Sequence, residues 1–290
     1  MRSLSFVAAV AAIAGAAQAD LIYAPNGLAR PLDGSDELIR FDPSNPAGYE
    51  VVGSMHVPGI GFGGLDFDAG GNLWAYASFF KNTGGAAAGL YSVDPTTGLA
   101  TPLGRSSQSL QDLAFNPVDG KMYGVNTQNR VTKLYTVDLS TGGVSLVGTF
   151  GGLPADQHAM SFAIDSDGRF YVHDLSQDKI FAGDGLDLAE LYDLPQDTNF
   201  SQGMTIDWSR DDRGYHAAVG YGQHPHYFSQ LNEFAPDGSG YVLGSPFGDE
   251  LPDGLPPVEP GDLAIMPVPA PATVLSLAAA PLLLGRRRRA

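Results

Sequence analysis

The chain has 290 residues, no cysteine and a formal charge of −16. The missing cysteines exclude disulfides, thiolate-held metals, iron–sulfur clusters and a thiol nucleophile. Glycine (37) and proline (21) make up a fifth of the residues, which argues against a helical bundle, while 43% apolar residues suffice for a core.

Residues 1–19 have the layout of a secretory signal peptide: Arg2, an uncharged apolar run from Phe6 to Ala17, and the small-x-small site Ala17-Gln18-Ala19. Cleavage between Ala19 and Asp20 is expected. The run is shorter than the ~20 residues a spanning helix needs.

The body, 20–266, is a repeat. Leu90-Tyr91-Ser92-Val93-Asp94-Pro95-Thr96-Thr97-Gly98 continues to Pro102-Leu103-Gly104, and Leu134 to Gly142 continues to Leu146-Val147-Gly148 in the same pattern. Leu38 to Pro43, ending at Val51-Val52-Gly53, is a third copy, and Leu231 to Phe234, ending at Val242-Leu243-Gly244, is a worn fourth. Each reads as strand, turn, strand. A second hairpin precedes the complete copies, as in Gly64-Leu65-Asp66-Phe67 turning at Gly70-Gly71 into Leu73-Trp74, or Asp112 to Asn116 turning at Asp119-Gly120 into Met122-Tyr123. A unit is therefore four strands, a to d, in roughly 40–50 residues, the repeat of a β-propeller blade. The strand c pattern loosely resembles propellers of the lactonase-like or Tyr-Val-Thr-Asn repeat type, a resemblance of architecture that carries no catalytic residue across.

Leu21-Ile22-Tyr23-Ala24 is a strand b without a strand a, and Gly261-Asp262-Leu263-Ala264-Ile265 is a strand a without a strand b. Together they complete one blade and remove the open edge. The expectation is an all-β propeller of five blades: 262–266 with 20–55, then 63–105, 111–150, 160–193 and 203–246. The stretch 246–261 is the place where a degenerate sixth blade would fit.

Chemical motifs in the body are sparse. Gly59-Ile60-Gly61-Phe62-Gly63-Gly64 matches a dinucleotide fingerprint by letter but no helix follows, so it reads as a glycine loop entering a blade. Asp165-Ser166-Asp167-Gly168 begins like a calcium loop without its downstream Glu. Asp165 and Asp167 are the metal candidates, although a hairpin turn accounts for both and no cofactor is expected. Tyr221, His224, His226 and Tyr227 sit on an extended b–c loop and are the ligand-contact candidates, with His216 on the preceding strand. No Gly-x-Ser-x-Gly elbow occurs.

At the C-terminus, Val268-Pro269-Ala270-Pro271 leads into an apolar run from Val274 to Leu284, then Arg286, Arg287, Arg288 and Arg289. This is a stop-transfer layout, with the arginines held on the cytoplasmic side. Residues 267–290 resemble the PEP-CTERM sorting signal, with Ala270 in place of the usual Glu. The resemblance implies processing by an exosortase-like enzyme after signal peptidase has acted, a transient or retained C-terminal membrane anchor, and delivery to the cell surface or extracellular matrix. Five of the 16 basic residues lie in the two end segments, which hold no acid. The body therefore carries 11 basic residues against 32 acidic ones, a net −21 that repels nucleic acid.

The functional expectation is an exported, non-catalytic binding or scaffold propeller whose partner is extracellular polysaccharide or an envelope protein. The alternative is an extracellular sugar- or lactone-acting hydrolase using channel-mouth carboxylates.

Overall fold

In the computed structural model, residues 21–27, 34–80, 88–106, 108–199, 202–221, 227–248 and 258–268 are described. Both terminal segments, the loop holding His224 and His226, and the stretch 249–257 lie outside them.

Alternation of apolar residues closed by Asp, Thr and Gly turns produces short antiparallel hairpins throughout. The first blade holds β1 (Ile22–Asn26), β2 (Glu37–Phe41) and β3 (Glu50–Ser54). The second holds β4 (Ile60–Phe67), β5 (Leu73–Phe80), β6 (Gly89–Val93) and β7 (Ala100–Arg105). The third holds β8 (Asp112–Asn116), β9 (Lys121–Gln128), β10 (Val131–Val137) and β11 (Val144–Thr149). The fourth holds β12 (Ala159–Ile164), β13 (Phe170–Asp174), β14 (Lys179–Gly183) and β15 (Ala189–Asp193). The fifth holds β16 (Gly203–Ile206), β17 (Gly214–Tyr221), β18 (Tyr227–Phe234) and β19 (Tyr241–Val242). The last strand, β20 (Ala264–Ile265), pairs with β1 and completes the first blade in the order β20-β1-β2-β3. The inner strands meet in the cycle β20, β4, β8, β12, β16 and back to β20. The protein is a five-bladed β-propeller closed by strands from both ends of the body.

The core lies between blades. Each of the five apolar clusters takes the large residue of one inner strand (Leu65, Leu113, Phe162, Met204 or Leu263) and joins it to a neighbouring blade. Burying such a side chain contributes about 1.5–3 kcal/mol each. Trp208, from the a–b turn of the fifth blade, reaches the cluster of the second and third blades and tilts over Phe115, ring centroids 5.6 Å apart.

The glycine that ends strand d now has a cause. At Gly53 and Gly104 an added Cβ would sit 2.2 Å from the Thr97 carbonyl oxygen and 2.1 Å from that of Thr141. Those carbonyls belong to the c–d turns of the following blades, closed by Gly98 and Gly142 at φ 79° and 73°. Gly104→Ala is therefore expected to push the third blade's turn outward and cost about 2 kcal/mol, read as a lower urea midpoint at unchanged slope.

One expectation is corrected. Residues 59–64 are not a loop entering a blade: from Ile60 onward they are the inner strand β4 itself, with register shifts around Phe62. Glycines hide a strand from any alternation rule. Gly64 is needed because a Cβ there would lie 2.8 Å from the Leu113 backbone nitrogen of the next blade.

Candidate functional site

An inner strand has a partner on one side only, so alternate N–H groups face the axis without a ladder acceptor. Three short carboxyl side chains take six of them. Asp262 accepts from Leu263 (2.7 Å) and, across to the second blade, from Leu65 (2.5 Å). Asp66 accepts from Phe67 (2.8 Å) and from Phe115 of the third blade (2.7 Å). Asp112 accepts from Leu113 (2.5 Å) and from Phe162 of the fourth blade (2.6 Å). Each aspartate thus ties its own blade to the next.

Asp112 and Asp262 are both fully buried. Burial, and for Asp112 the facing Asp262 carboxylate as well, holds both well above the usual carboxylate range. Burial also lifts Asp66 to about 7 against the pull of its two N–H donors. The space beside Asp66, Ala114, Ala163 and Thr205 is about 10 Å³, roughly one water. The hub is filled, and its carboxylates are held by the backbone.

A second buried polar group lies between the fourth and fifth blades. The His173 and His216 rings meet with centroids 4.6 Å apart and planes tilted by 56°, both fully buried. Burial lowers both, His216 to about 3, so both are neutral at neutral pH. His216 Nδ1 meets the Tyr241 hydroxyl at 3.0 Å, while neither His173 nitrogen has a partner.

Open concave space lies elsewhere on the same seam. A groove of about 700 Å³ runs between the fourth and fifth blades on the face that carries the a–b and c–d turns. Its walls are two successive a–b turns. In the first, Asp165 Oδ1 accepts from the Asp167 and Arg169 backbones, and Asp165 Oδ2 accepts from the Tyr171 hydroxyl at 2.8 Å. The second turn reaches back: Asp212, at φ 54°, accepts from Ser166 N (2.8 Å) and Oγ (2.5 Å). At the outer end the Tyr192 hydroxyl lies 2.7 Å and 2.8 Å from the Ala235 and Gly240 carbonyls. Both ends of the groove are thus pinned. Seven carboxylates and two guanidiniums line it, with Asp167, Asp184, Asp211 and Asp237 exposed. Arg169 lies 5.6 Å over the Tyr171 ring.

The candidates from the sequence separate accordingly. Asp165 and Asp167 are groove residues, but Asp165 is spent on its own turn, and among the described residues no three His, Asp or Glu side chains converge to hold a metal ion. Tyr221 and Tyr227 pair with each other and close the β17–β18 hairpin, which runs longer than the loop expected there. His224 and His226 lie outside the described residues, as do Ala19, Asp20, Pro269, Ala270, Pro271 and Arg286 to Arg289. Val268 is described, and its N–H donates to Ser209 Oγ at 3.0 Å, beside the groove. Among the described residues, no helix is long and apolar enough to cross a membrane. The sequence reading did not single out the hub aspartates or His173. The one available signal was an Asp immediately before the inner-strand leucine in two of five units.

Fold and site together define a five-bladed β-propeller with a filled hub and an acid-lined groove on one face. Among solved structures, the chain is similar to one in the crystal structure of a nidogen–laminin complex: 12% identity, TM-score 0.51, covering 85% of this chain and 98% of that one. It is also similar to TolB from Acinetobacter baumannii: 16% identity, TM-score 0.48, covering 86% and 67% respectively. At these identities the likeness is one of fold. No family model matches the chain, and no curated protein matches it in sequence.

Proposed function

We propose that this chain is an exported, surface- or matrix-sorted propeller that binds or scaffolds without catalysis, its partner being extracellular polysaccharide or an envelope protein. The observation that carries the reading is the contrast between hub and groove. The hub carboxylates, which a channel-mouth hydrolase would use, are buried and committed to backbone N–H groups. The groove is open, rigid and rich in groups that hydrogen-bond hydroxyls or pair with cations, and 700 Å³ falls within the usual range of ligand sites. Arg2, the apolar run to Ala17, the apolar run from Val274 and the closing arginines support export and sorting.

Leu21 and Met266 are joined by a backbone hydrogen bond at the end of the β1–β20 pair, on the same face as the groove. A propeller tethered through its C-terminal segment therefore turns the groove toward the tethering surface, within reach of matrix or envelope components there.

The test is the melting midpoint of the full chain with the producing cell's extracellular polysaccharide, with calcium and with EDTA, together with turnover assays on glycans and lactones. The expected outcome is a rise with polysaccharide or envelope extract and no turnover. A ligand at one hundred times its dissociation constant adds about 2.7 kcal/mol of stability. Turnover of a glycan or lactone that disappears on mutation of a single acid would reverse the reading in favour of the hydrolase.

A further inference from the structure

The face opposite the groove carries a second concavity. Strand direction alternates through each blade, so the b–c turns and the connections between blades lie at the end away from the a–b and c–d turns. There, between the third and fourth blades, a pocket of about 460 Å³ opens, a size within the range of small-molecule sites. It shares no residue with the groove.

Three chain segments meet in the pocket and are tied to one another. Thr127 Oγ1, near the end of β9, accepts from Ala159 N (3.0 Å) and bonds Thr132 Oγ1 (2.8 Å). Gln157, on the connection into the fourth blade, accepts from Thr132 N (2.8 Å) and donates to the Pro154 carbonyl (3.2 Å). Asp174 holds the b–c turn of the fourth blade, accepting from His158 N (2.6 Å) and from Ser176 Oγ (2.5 Å). These polar side chains are spent inside the protein. Arg130, Asp156 and His158 differ: all three line the pocket, are exposed and, among the described residues, make no side-chain hydrogen bond or ion pair.

Arg130 also sits at a costly position. Gln128 and Val131 pair across a two-residue turn made by Asn129 and Arg130, at φ 54° and 62°. Both central residues of such a turn are left-handed, and the second is where the Asn-Gly hairpin has its glycine. A long side chain therefore stands where the backbone favours none, and it ends in an unpaired guanidinium.

We propose that this pocket binds a single acidic monosaccharide, the Arg130 guanidinium holding the sugar's carboxylate while His158 and Asp156 take its hydroxyls. The fork of guanidinium donors matches a carboxylate. A neutral imidazole offers one donor and one acceptor, and a carboxylate accepts, which together suit ring hydroxyls that both donate and accept. Leu175 is the one apolar residue of the lining, enough to cover the C–H face of one ring and too little to anchor a peptide. The acidic body does not forbid an anion here: at physiological salt, charges beyond about 8 Å are screened, so the local guanidinium decides.

The experiment is an NMR titration of the isotope-labelled full chain with glucuronate, glucose and glutamate. The expected result is saturable shifts at Arg130, Gln157, His158 and Ser176 with glucuronate in the millimolar range, and binding of glucose and of glutamate at least tenfold weaker. Arg130→Gly should weaken glucuronate binding at least tenfold while its melting midpoint stays level or rises, because glycine fits the turn. Asp184→Lys, in the groove, should leave the affinity unchanged, so the outcome is separable from that of the groove. No saturable shift with glucuronate, equal affinity for glucose or glutamate, or full affinity in Arg130→Gly would overturn the proposal. A loss of affinity in Asp184→Lys would place the sugar in the groove and overturn it as well.

Discussion

Replacing Asp262 by Ala is expected to lower the stability of the full chain by about 4 kcal/mol, because it strands two buried N–H donors at the point where the ring closes. The donors are Leu65 and Leu263, on different blades. Each unsatisfied buried donor costs about 1–3 kcal/mol. The loss of charge repulsion around Asp66 offsets a part. Asp262→Asn keeps one acceptor and should recover some of the deficit. Asp94→Ala removes a carboxylate that accepts from Thr96 N and Oγ1 on an exposed turn, and should change the urea midpoint far less. If the two alanine variants lost stability equally, the hub aspartates would be ordinary turn residues.

The second large effect is expected at Gly203. A Cβ at this position would lie 2.5–2.7 Å from the Cα and carbonyl carbon of Asp262 and the nitrogen of Leu263. All three are backbone atoms, so no rotamer change relieves the clash. β20 must move away from β16, straining its two-residue pairing with β1 and the flanking Met266–Leu21 and Gly261–Pro25 backbone hydrogen bonds. Gly203→Ala is therefore expected to cost about 3 kcal/mol, with faster hydrogen exchange in residues 261–266 than elsewhere. Gly71→Ala is the control: φ there is 76° but nothing lies within 4 Å, so only backbone strain of about 1 kcal/mol is expected, with no change in exchange at the seam.

Most of the fold was legible in the sequence because its signals are local. Leu90 to Gly104 and Leu134 to Gly148 repeat a strand, an Asp-centred turn and a strand, and the turn chemistry is self-contained: Asp94 and Asp138 cap Thr96 and Ser140 two residues on. Closure was legible because Leu21 to Ala24 lacks the strand that Gly261 to Ile265 supplies. The site was less legible because its parts meet only across blades. Asp66 and Phe115, or Asp212 and Ser166, are brought together by ring geometry that no spacing announces. His173 and His216 lie about one repeat apart in sequence, yet nothing local marks them as ring neighbours. An Asp at the head of a strand reads as a turn residue until the unpaired inner edge of that strand is counted. Asp165 and Asp167 read as a hairpin turn with the letters of a calcium loop; that turn forms one wall of a groove whose other wall belongs to the next blade, which no local spacing shows.

The central claim is that the groove between the fourth and fifth blades does the binding. Its most direct test is calorimetric titration of the producing cell's extracellular polysaccharide, and of its solubilised envelope proteins, into the full chain and into the double variant Asp184→Lys, Asp237→Lys. Both positions are exposed rim carboxylates with little part in the fold. The account predicts saturable binding to the wild type that weakens at least tenfold in the variant while the melting midpoint stays within a few degrees. Equal affinity in wild type and variant would contradict it and move the binding face to the opposite side of the propeller.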